Sequence, residues 1–148
     1  MPHMSDNRWP HAAPGDLHRF ARYVLTSDDA EDCWIWLGGI EPDGGYGRFR
    51  QHGGPVIAAH RWSYLAHHGP TDWPVVRHRC DIRVCVNPHH LQAGTQAGNV
   101  DDTARRGTWS PIPWPQLAYV LRDHARRADH DAIAQLTARP RQLELPIP

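Results

Sequence analysis

A short segment of the chain, RHRCDIRVCVNPHHL, carries the side-chain types that proteins use to bind zinc. Four residues separate Cys80 from Cys85 and four separate Cys85 from His90, while Cys33 is the remaining cysteine, far upstream. Tetrahedral zinc takes four thiolate or imidazole ligands. An odd number of cysteines in a chain expected to be intracellular favours ligation or burial over a disulfide framework. We therefore predict a structural zinc on Cys33, Cys80, Cys85 and His90.

The adjacent histidine is an alternative to the fourth ligand. Neighbouring residues of an extended segment point to opposite sides, so only one of His89 and His90 can face the ion. The spacing alone leaves this choice open.

Three polar residues around the same segment form a second group. His78 ends a predicted strand, Asn87 precedes a proline in a predicted turn, and Asn99 lies on a predicted helix. Taken singly, each has an ordinary structural explanation. Because these residues alternate along the chain with the predicted zinc ligands, we expect them to lie at one site. There His78 would be a base, Asn87 would fix the turn and Asn99 would supply an oxygen ligand.

The hydrophobic pattern predicts an α+β fold. Residues 14–26 and 56–67 have apolar side chains three and four apart, which is typical of amphipathic helices. CWIWLGG and YGRFR, separated by EPDGG, alternate in the manner of a hairpin. Trp34, Trp36 and Phe49 are predicted to belong to the core, where large aromatic side chains are usually buried.

The second half continues with a strand, a turn, a strand and a helix. WPVVRHRC predicts a strand that ends at His78, HHLQAG a second strand, and residues 95–106 a helix. The proline-rich TWSPIPWP predicts a linker. Residues 116–127 and 131–138 predict two helices, which either pack on the body or a second subunit, or form a DNA-binding arm.

The charges are distributed unevenly along the chain. The formal net charge is zero, with sixteen arginines and no lysine. Residues 27–43 contain six acidic and no basic residues, whereas residues 44–110 contain eight arginines and four aspartates. A globally basic surface is excluded, so a contact with a polyanion would use the arginine-rich part.

The sequence also predicts location and organisation. No run of about 18 apolar residues is present, and the start lacks the pattern of a secretory signal, so we expect a cytoplasmic protein without membrane contact. We predict an N-terminal helical extension (1–26), a zinc-stabilised domain (27–107), and a proline-rich linker with a helical C-terminal extension (108–148).

The run VVRHRCDIRVCVNPHHLQAGTQAGNVDD resembles the HNH endonucleases of the ββα-metal superfamily. Its ligand spacing is similar to that of the His-Cys box homing endonucleases. CWIWLGG, GYGRF and AHRWSY resemble the upstream pattern of small phage-type HNH proteins. The resemblance covers about residues 33–107.

This resemblance implies a ββα-metal nuclease core with a structural zinc, an antiparallel hairpin and flanking helices. It implies His78 as general base, Asn99 as ligand of a catalytic Mg²⁺ or similar ion, and Asn87 as the turn-stabilising residue. Arg77 departs from the commonest HNH pattern, which has a metal-binding residue there. Arg61 matches a position expected to contact the scissile phosphate, and six arginines are candidates for DNA contacts: Arg48, Arg50, Arg79, Arg83, Arg105 and Arg106.

The implied activity is hydrolysis of phosphodiester bonds in double-stranded DNA to 5′-phosphate and 3′-hydroxyl ends. Two alternatives stay open, a zinc-stabilised DNA-binding module without cleavage and an RNA-directed nuclease. One active site per chain cuts one strand, so cleavage of both strands would imply a homodimer.

Overall fold

Short antiparallel strands alternate with short helices along the chain. The computed structural model describes residues 8–96, 112–113 and 116–138. In chain order the elements are α1 (Pro14–Ala21), β1 (Val24–Leu25), β2 (Ile35–Trp36), β3 (Arg48–Arg50), β4 (Val56–Ala58), α2 (Ala59–His68), β5 (Val75–His78), a 3₁₀ turn (Pro88–His90), β6 (Leu91–Gly94), α3 (Gln116–Arg126) and α4 (His130–Thr137).

The strands pair as small antiparallel hairpins. Within the described residues β1 pairs with β2, β3 with β4, and β5 with β6. In the last hairpin Val76 is opposite Ala93 and His78 is opposite Leu91. The helix after this hairpin, predicted over residues 95–106, lies outside the described residues except for its first two positions.

A loop segment runs beside β2 and joins two distant parts of the chain. Ile35 and Cys85 form an antiparallel bridge. The amide of Trp36 donates to the carbonyl of Val84 at 2.9 Å, and that of Val86 donates to the carbonyl of Trp34 at 2.8 Å. This pairing brings Cys33, just before β2, close to Cys85.

Aromatic side chains form the centre of the core. The rings of Phe20 and Trp62 are stacked with centroids 4.1 Å apart, and Phe49 meets Trp62 at 5.2 Å. Trp34, Trp36 and Phe49 are buried, as the sequence predicted. Because these side chains come from α1, β2, β3 and α2, packing around them fixes how the hairpins and helices are arranged.

The C-terminal helix pair packs on the body. Leu117 and Leu121 of α3 are fully buried and belong to the same hydrophobic cluster as Trp36. The guanidinium of Arg122 donates to the carbonyl of Gly38 at 3.0 Å, and that of Arg126 donates to Leu37 at 3.1 Å. These contacts agree with the interpretation that the two helices pack on the body, and both arginines help to hold α3 there.

Three predicted elements were wrong in extent or pairing. The first helix ends at Ala21 rather than residue 26, because Val24 and Leu25 pair with β2. CWIWLGG and YGRFR meet only in a short antiparallel contact, with a bridge between Ile40 and Gly47 and a hydrogen bond from the amide of Arg48 to the carbonyl of Gly39 at 2.9 Å. The ladder of β3 forms instead with the next segment, Val56–Ala58, and the helix predicted from residue 56 therefore begins at Ala59. For both helices, backbone pairing with a neighbouring strand outweighed the local helical pattern.

Helix α2 ends at His68 and is followed by Gly69, whose φ of 95° is easily reached only without a side chain. Among the described residues, no helix has both the length and the apolar character needed to cross a membrane.

A glycine-to-alanine pair tests the packing beside Trp36. At Gly47 a Cβ atom would lie 2.5 Å from Cδ1 of Trp36 and 3.0 Å from Cβ of Ala59, whereas at Gly39 it would meet nothing within 4 Å. We expect Gly47→Ala to lower the free energy of unfolding by about 1–3 kcal/mol because the buried indole must shift. Gly39→Ala is the control, and urea unfolding measures both. Equal midpoints for the two variants would contradict the packing described.

Candidate active site and metal centre

Four predicted ligands come together where β2 meets the segment after β5. The ligand atoms of Cys33, Cys80, Cys85 and His90 all lie within 4.8 Å of one another. Nδ1 of His90 is 3.5 Å from Sγ of Cys85 and 3.7 Å from Sγ of Cys33. We call these four residues the Cys3His cluster.

The cluster fits a tetrahedral metal such as zinc. Bonds of about 2.3 Å to sulfur and about 2.05 Å to nitrogen place sulfur and nitrogen ligands roughly 3.5 Å apart around a tetrahedral ion. The two nitrogen–sulfur distances are close to this value. The cluster could therefore bind a zinc ion with little rearrangement.

The choice between the two adjacent histidines is clear in the structure. His90 faces the cysteines, whereas the ring of His89 packs against that of His67, with centroids 5.2 Å apart. The backbone amide of His89 donates to the side-chain oxygen of Asn87. The 3₁₀ turn thus directs His90 into the cluster and His89 away from it.

Asn87 holds the two sides of the cluster together. Its side chain is fully buried, and its Nδ2 donates to the carbonyls of Ala30 at 2.9 Å and Asp32 at 2.8 Å. Its Oδ1 accepts from the amide of His89 at 3.0 Å. One amide therefore fixes the loop before Cys33 and the turn that carries His90.

The three thiols share their ionisation. Hydrogen bonds with Cys80 and Cys85, together with burial, raise the pKa of Cys33 well above its usual value, and burial raises the pKa of Cys80. At Cys85 burial raises the pKa, but the hydrogen bonds from Cys33 and Cys80 outweigh it and hold the pKa well below its usual value. Ionising all three thiols requires a compensating cation, so metal binding would release protons.

His78 lies next to the cluster, at the end of β5. Its ring is 7 % exposed, and Nε2 donates to the carbonyl of Cys85 at 3.0 Å. It lines a cavity of about 460 Å³ between the β3–β4 hairpin and β5. Because Nε2 carries the hydrogen of the neutral imidazole, the acceptor lone pair is on Nδ1.

A second histidine, which the sequence analysis did not single out, lies against His78. The rings of His60 and His78 have centroids 4.4 Å apart, and Tyr46 lies 5.4 Å from His60. His60 and Tyr46 line the same cavity. In the sequence, His60 is part of the AHRWSY segment, directly before Arg61.

Both histidines are held in the neutral state. Burial lowers the pKa of His60 from its ordinary value to about 4. Burial and the neighbouring His60 lower the pKa of His78 well below its usual value. At neutral pH each ring therefore has one protonated nitrogen and one acceptor nitrogen.

The predicted arginines have different positions. Arg48 lines the cavity, and so does Arg77, which was noted only as a departure from the family pattern. Arg61 donates to the carbonyl of Pro74 at 3.0 Å, and Arg83 donates to the carbonyl of Gly44 at 2.7 Å. Arg79 lies beside the Cys3His cluster.

Of the remaining predicted site residues, Arg50 is described and three are not. Asn99, Arg105 and Arg106 lie outside the described residues. Gln96, three positions before Asn99, is described and lines the cavity. Arg50 is exposed on β3, and its carbonyl accepts from Arg19 at 2.8 Å.

Residues 58–100 match the model of a known family, described as HNH endonuclease. The match covers this segment of the chain. It includes His60, His78 and Asn99, and it includes the ligands Cys80, Cys85 and His90 but not Cys33. The resemblance inferred from the sequence is confirmed, as is the small α+β fold with antiparallel hairpins.

Two small phage proteins are similar to this chain. Protein 7.7 of Escherichia phage T7 is 38% identical over 78 residues, which are 52% of this chain and 58% of that protein. Protein 2.8 of the same phage is 37% identical over 76 residues, 51% of each chain. The chain thus spans about half the length of the curated relatives it matches. No solved structure matches it.

Neighbouring histidine variants test the metal centre. We expect the purified chain to hold about one zinc, and His90→Ala to lose most of it because one of four ligands is removed. His89→Ala should keep its zinc and its melting temperature, since its ring points away from the cluster. Elemental analysis and thermal unfolding measure both. Zinc retained in His90→Ala but lost from His89→Ala would overturn the assignment.

The buried neutral state of His60 predicts a pH dependence of stability. Its pKa is about 4 in the folded chain and about 6.5 when unfolded, so below pH 6.5 only the unfolded chain binds the proton. Stability should therefore fall as pH decreases from about 6.5 towards 4. Between about pH 7.5 and pH 5.5 we expect His60 to account for about 1 kcal/mol of this fall. Urea unfolding of wild type and His60→Gln at both pH values isolates the contribution of His60, because any loss of zinc at low pH affects both proteins. An equal change in the free energy of unfolding for the two proteins would contradict this prediction.

Proposed function

We propose that this chain is a metal-dependent DNA endonuclease that hydrolyses phosphodiester bonds to 5′-phosphate and 3′-hydroxyl ends. The match of residues 58–100 to the HNH endonuclease family supports nuclease activity. The observation that carries the finer proposal is the position of His78, a buried neutral imidazole at the wall of a cavity, oriented by the carbonyl of Cys85.

His78 is the general base in this proposal. Its Nε2 hydrogen is engaged by Cys85, so the lone pair that can accept a proton is on Nδ1. Its lowered pKa keeps the ring neutral at physiological pH, which is the state that a base requires. The carbonyl of Cys85 also stabilises the imidazolium that forms when Nδ1 takes the proton.

The reaction begins with a water in the cavity. His78 Nδ1 takes one of its protons, and the oxygen attacks phosphorus in line with the bond to the 3′ oxygen. That bond breaks, leaving the phosphate on the 5′ side, and the 3′ oxygen gains a proton from solvent. The products are a 5′-phosphate and a 3′-hydroxyl.

Arginines around the cavity are suited to the phosphate. Arg48 and Arg77 line the cavity from β3 and β5, and a guanidinium can bind two phosphate oxygens at once. We assign them the contacts nearest the scissile bond. Arg61, which the resemblance places at the scissile phosphate, donates to the carbonyl of Pro74 and is not among the residues that line the cavity, so we propose it for a contact with a neighbouring phosphate. Arg50, Arg79, Arg83, Arg105 and Arg106 remain candidates for contacts along the DNA backbone.

Asn99 is proposed as the protein ligand of a catalytic divalent ion. Its position three residues after Gln96, a cavity-lining amide, favours an oxygen-donor site near His78, and oxygen donors suit Mg²⁺. The ion supplies charge that offsets the negative charge developing on the phosphate and on the departing oxygen.

The Cys3His cluster has a structural role in this proposal. Cys85 contributes its Sγ to the cluster and its carbonyl to His78. Ordering the cluster therefore also orders the hydrogen-bond partner of the base. The short strands provide little backbone pairing of their own, so the metal would replace stabilisation that a larger core supplies elsewhere.

Supercoiled plasmid distinguishes the proposal from its alternatives. Incubation with and without Mg²⁺, in parallel with a single-stranded RNA of matched length, should give Mg²⁺-dependent conversion of plasmid to nicked or linear form. Plasmid binding without cleavage would favour the DNA-binding module. Preferential cleavage of the RNA would favour the RNA-directed nuclease. Linear product at low protein occupancy would indicate that two chains act together.

Two variants separate the base from the metal ligand. His78→Ala should keep its zinc and most of its DNA affinity, and lose on the order of 10² to 10⁴ in cleavage rate, which is the usual contribution of a positioned base. Asn99→Ala should lose both the activity and its dependence on Mg²⁺ concentration. Plasmid cleavage rates over a Mg²⁺ series measure both effects. Near wild-type cleavage by zinc-loaded His78→Ala would exclude the proposed mechanism.

A further inference from the structure

A second histidine shares the cavity wall with the proposed base and has no part in the steps above. His60 is the second residue of α2 and is 8 % exposed. Its ring lies 4.4 Å from that of His78, centroid to centroid, at an angle of 41°. Of the ring contacts described for His78, this one is the shortest.

His60 is itself fixed by a backbone contact. Its Nε2 donates to the carbonyl of Val76 at 2.9 Å, and Val76 lies two residues before His78 on β5. Tyr46 lies beside both rings, with centroids 5.4 Å from His60 and 6.1 Å from His78. The ring of His60 is therefore held at the start of α2 against the strand that carries the base.

The contact between the two histidines is one of ring against ring. Nδ1 of His60 is buried and has no hydrogen-bond partner among the residues that the structure describes. A buried acceptor without a partner costs free energy, so a purely apolar ring would fill this space more favourably. Burial also lowers the pKa of His60 to about 4, so its ring is neutral near pH 7.

A neighbouring ring in contact restricts how an imidazole can turn. The bond from Nε2 to Cys85 holds one edge of the His78 ring, and the ring of His60, with its centroid 4.4 Å away, packs against the His78 ring. Orientation of this kind matters because a displacement of about 1 Å in a reacting group can cost on the order of 10²-fold in rate.

We propose that His60 is a positioning residue: its ring, anchored to Val76, holds the imidazole of His78 in the orientation in which Nε2 meets Cys85 and Nδ1 faces the cavity. The inference rests on the proposed function, because it assigns to His60 an effect on the base of that reaction. The orientation of the His78 ring can also be measured without activity, through its tautomer.

Two substitutions separate the ring from the hydrogen bond. His60→Gln keeps an amide that can donate to Val76 but removes the ring, whereas His60→Phe keeps a ring and removes the donor. His67→Gln is the matched control, because His67 is also on α2, is half-buried, and bonds through a ring nitrogen to a backbone carbonyl, that of Arg8. It is not among the residues that line the cavity.

The kinetic result expected is a loss in kcat without a change in KM. With zinc content and melting temperature measured for each protein, His60→Gln should lower kcat for plasmid cleavage by about 10- to 100-fold and leave KM within about 2-fold. His60→Phe should stay within about 5-fold of wild type, and His67→Gln should equal it. A structural role alone would lower zinc content and melting temperature and leave kcat per folded, zinc-loaded chain unchanged, which would overturn the proposal.

The ring of His78 supplies the second measurement. In ¹⁵N-labelled, zinc-loaded protein near pH 7, the imidazole signals of His78, assigned by their absence in His78→Ala, should show one tautomer with Nε2 protonated in wild type and His60→Phe. His60→Gln should show a mixture. A single tautomer in His60→Gln overturns the proposal. If wild type does not cleave plasmid, the proposed nuclease function fails, and the tautomer result still decides whether His60 positions His78.

Discussion

The buried side chain of Asn87 is the contact on which the rest of this site depends. Its three hydrogen bonds join the loop that leads to Cys33 with the turn that carries His90. These two segments are far apart in sequence, and neither is part of a long strand. Without a fixed link between them, the upstream cysteine and the downstream histidine would have no common position in which to meet an ion.

The metal centre and the proposed base are linked through a single residue. Cys85 directs its sulfur to the Cys3His cluster, its carbonyl to His78, and its backbone towards Ile35 in a bridge. Structural and chemical roles therefore cannot be assigned to separate parts of the molecule here. The aromatic core supports the same region, because the buried Trp34 and Trp36 flank Ile35, the residue of β2 that is bridged to Cys85.

The sequence allowed prediction of the features that depend on residue type and local spacing. The ligand set followed from tetrahedral coordination chemistry, and the β5–β6 hairpin followed from the alternation around His78. Strand pairing was predicted less well, since β1, β3 and β4 are only two or three residues long and a local pattern of that length does not specify a partner. His60 was missed for a similar reason. A histidine in an apolar helix pattern has no distinctive spacing, and only the folded chain shows which ring it touches.

The family segment and the unit that folds differ in size. Residues 58–100 are recognisable as HNH sequence, yet Phe20, Trp36 and Phe49, which pack against Trp62 or against one another, come from before that segment, and so does the ligand Cys33. Leu117 and Leu121 of the same core come from after it. The HNH-like segment therefore depends on the rest of the chain for the remaining ligand and most of the aromatic core. A transplant of residues 58–100 into another protein would carry His60, His78 and three of the four ligands without the contacts that hold them in place.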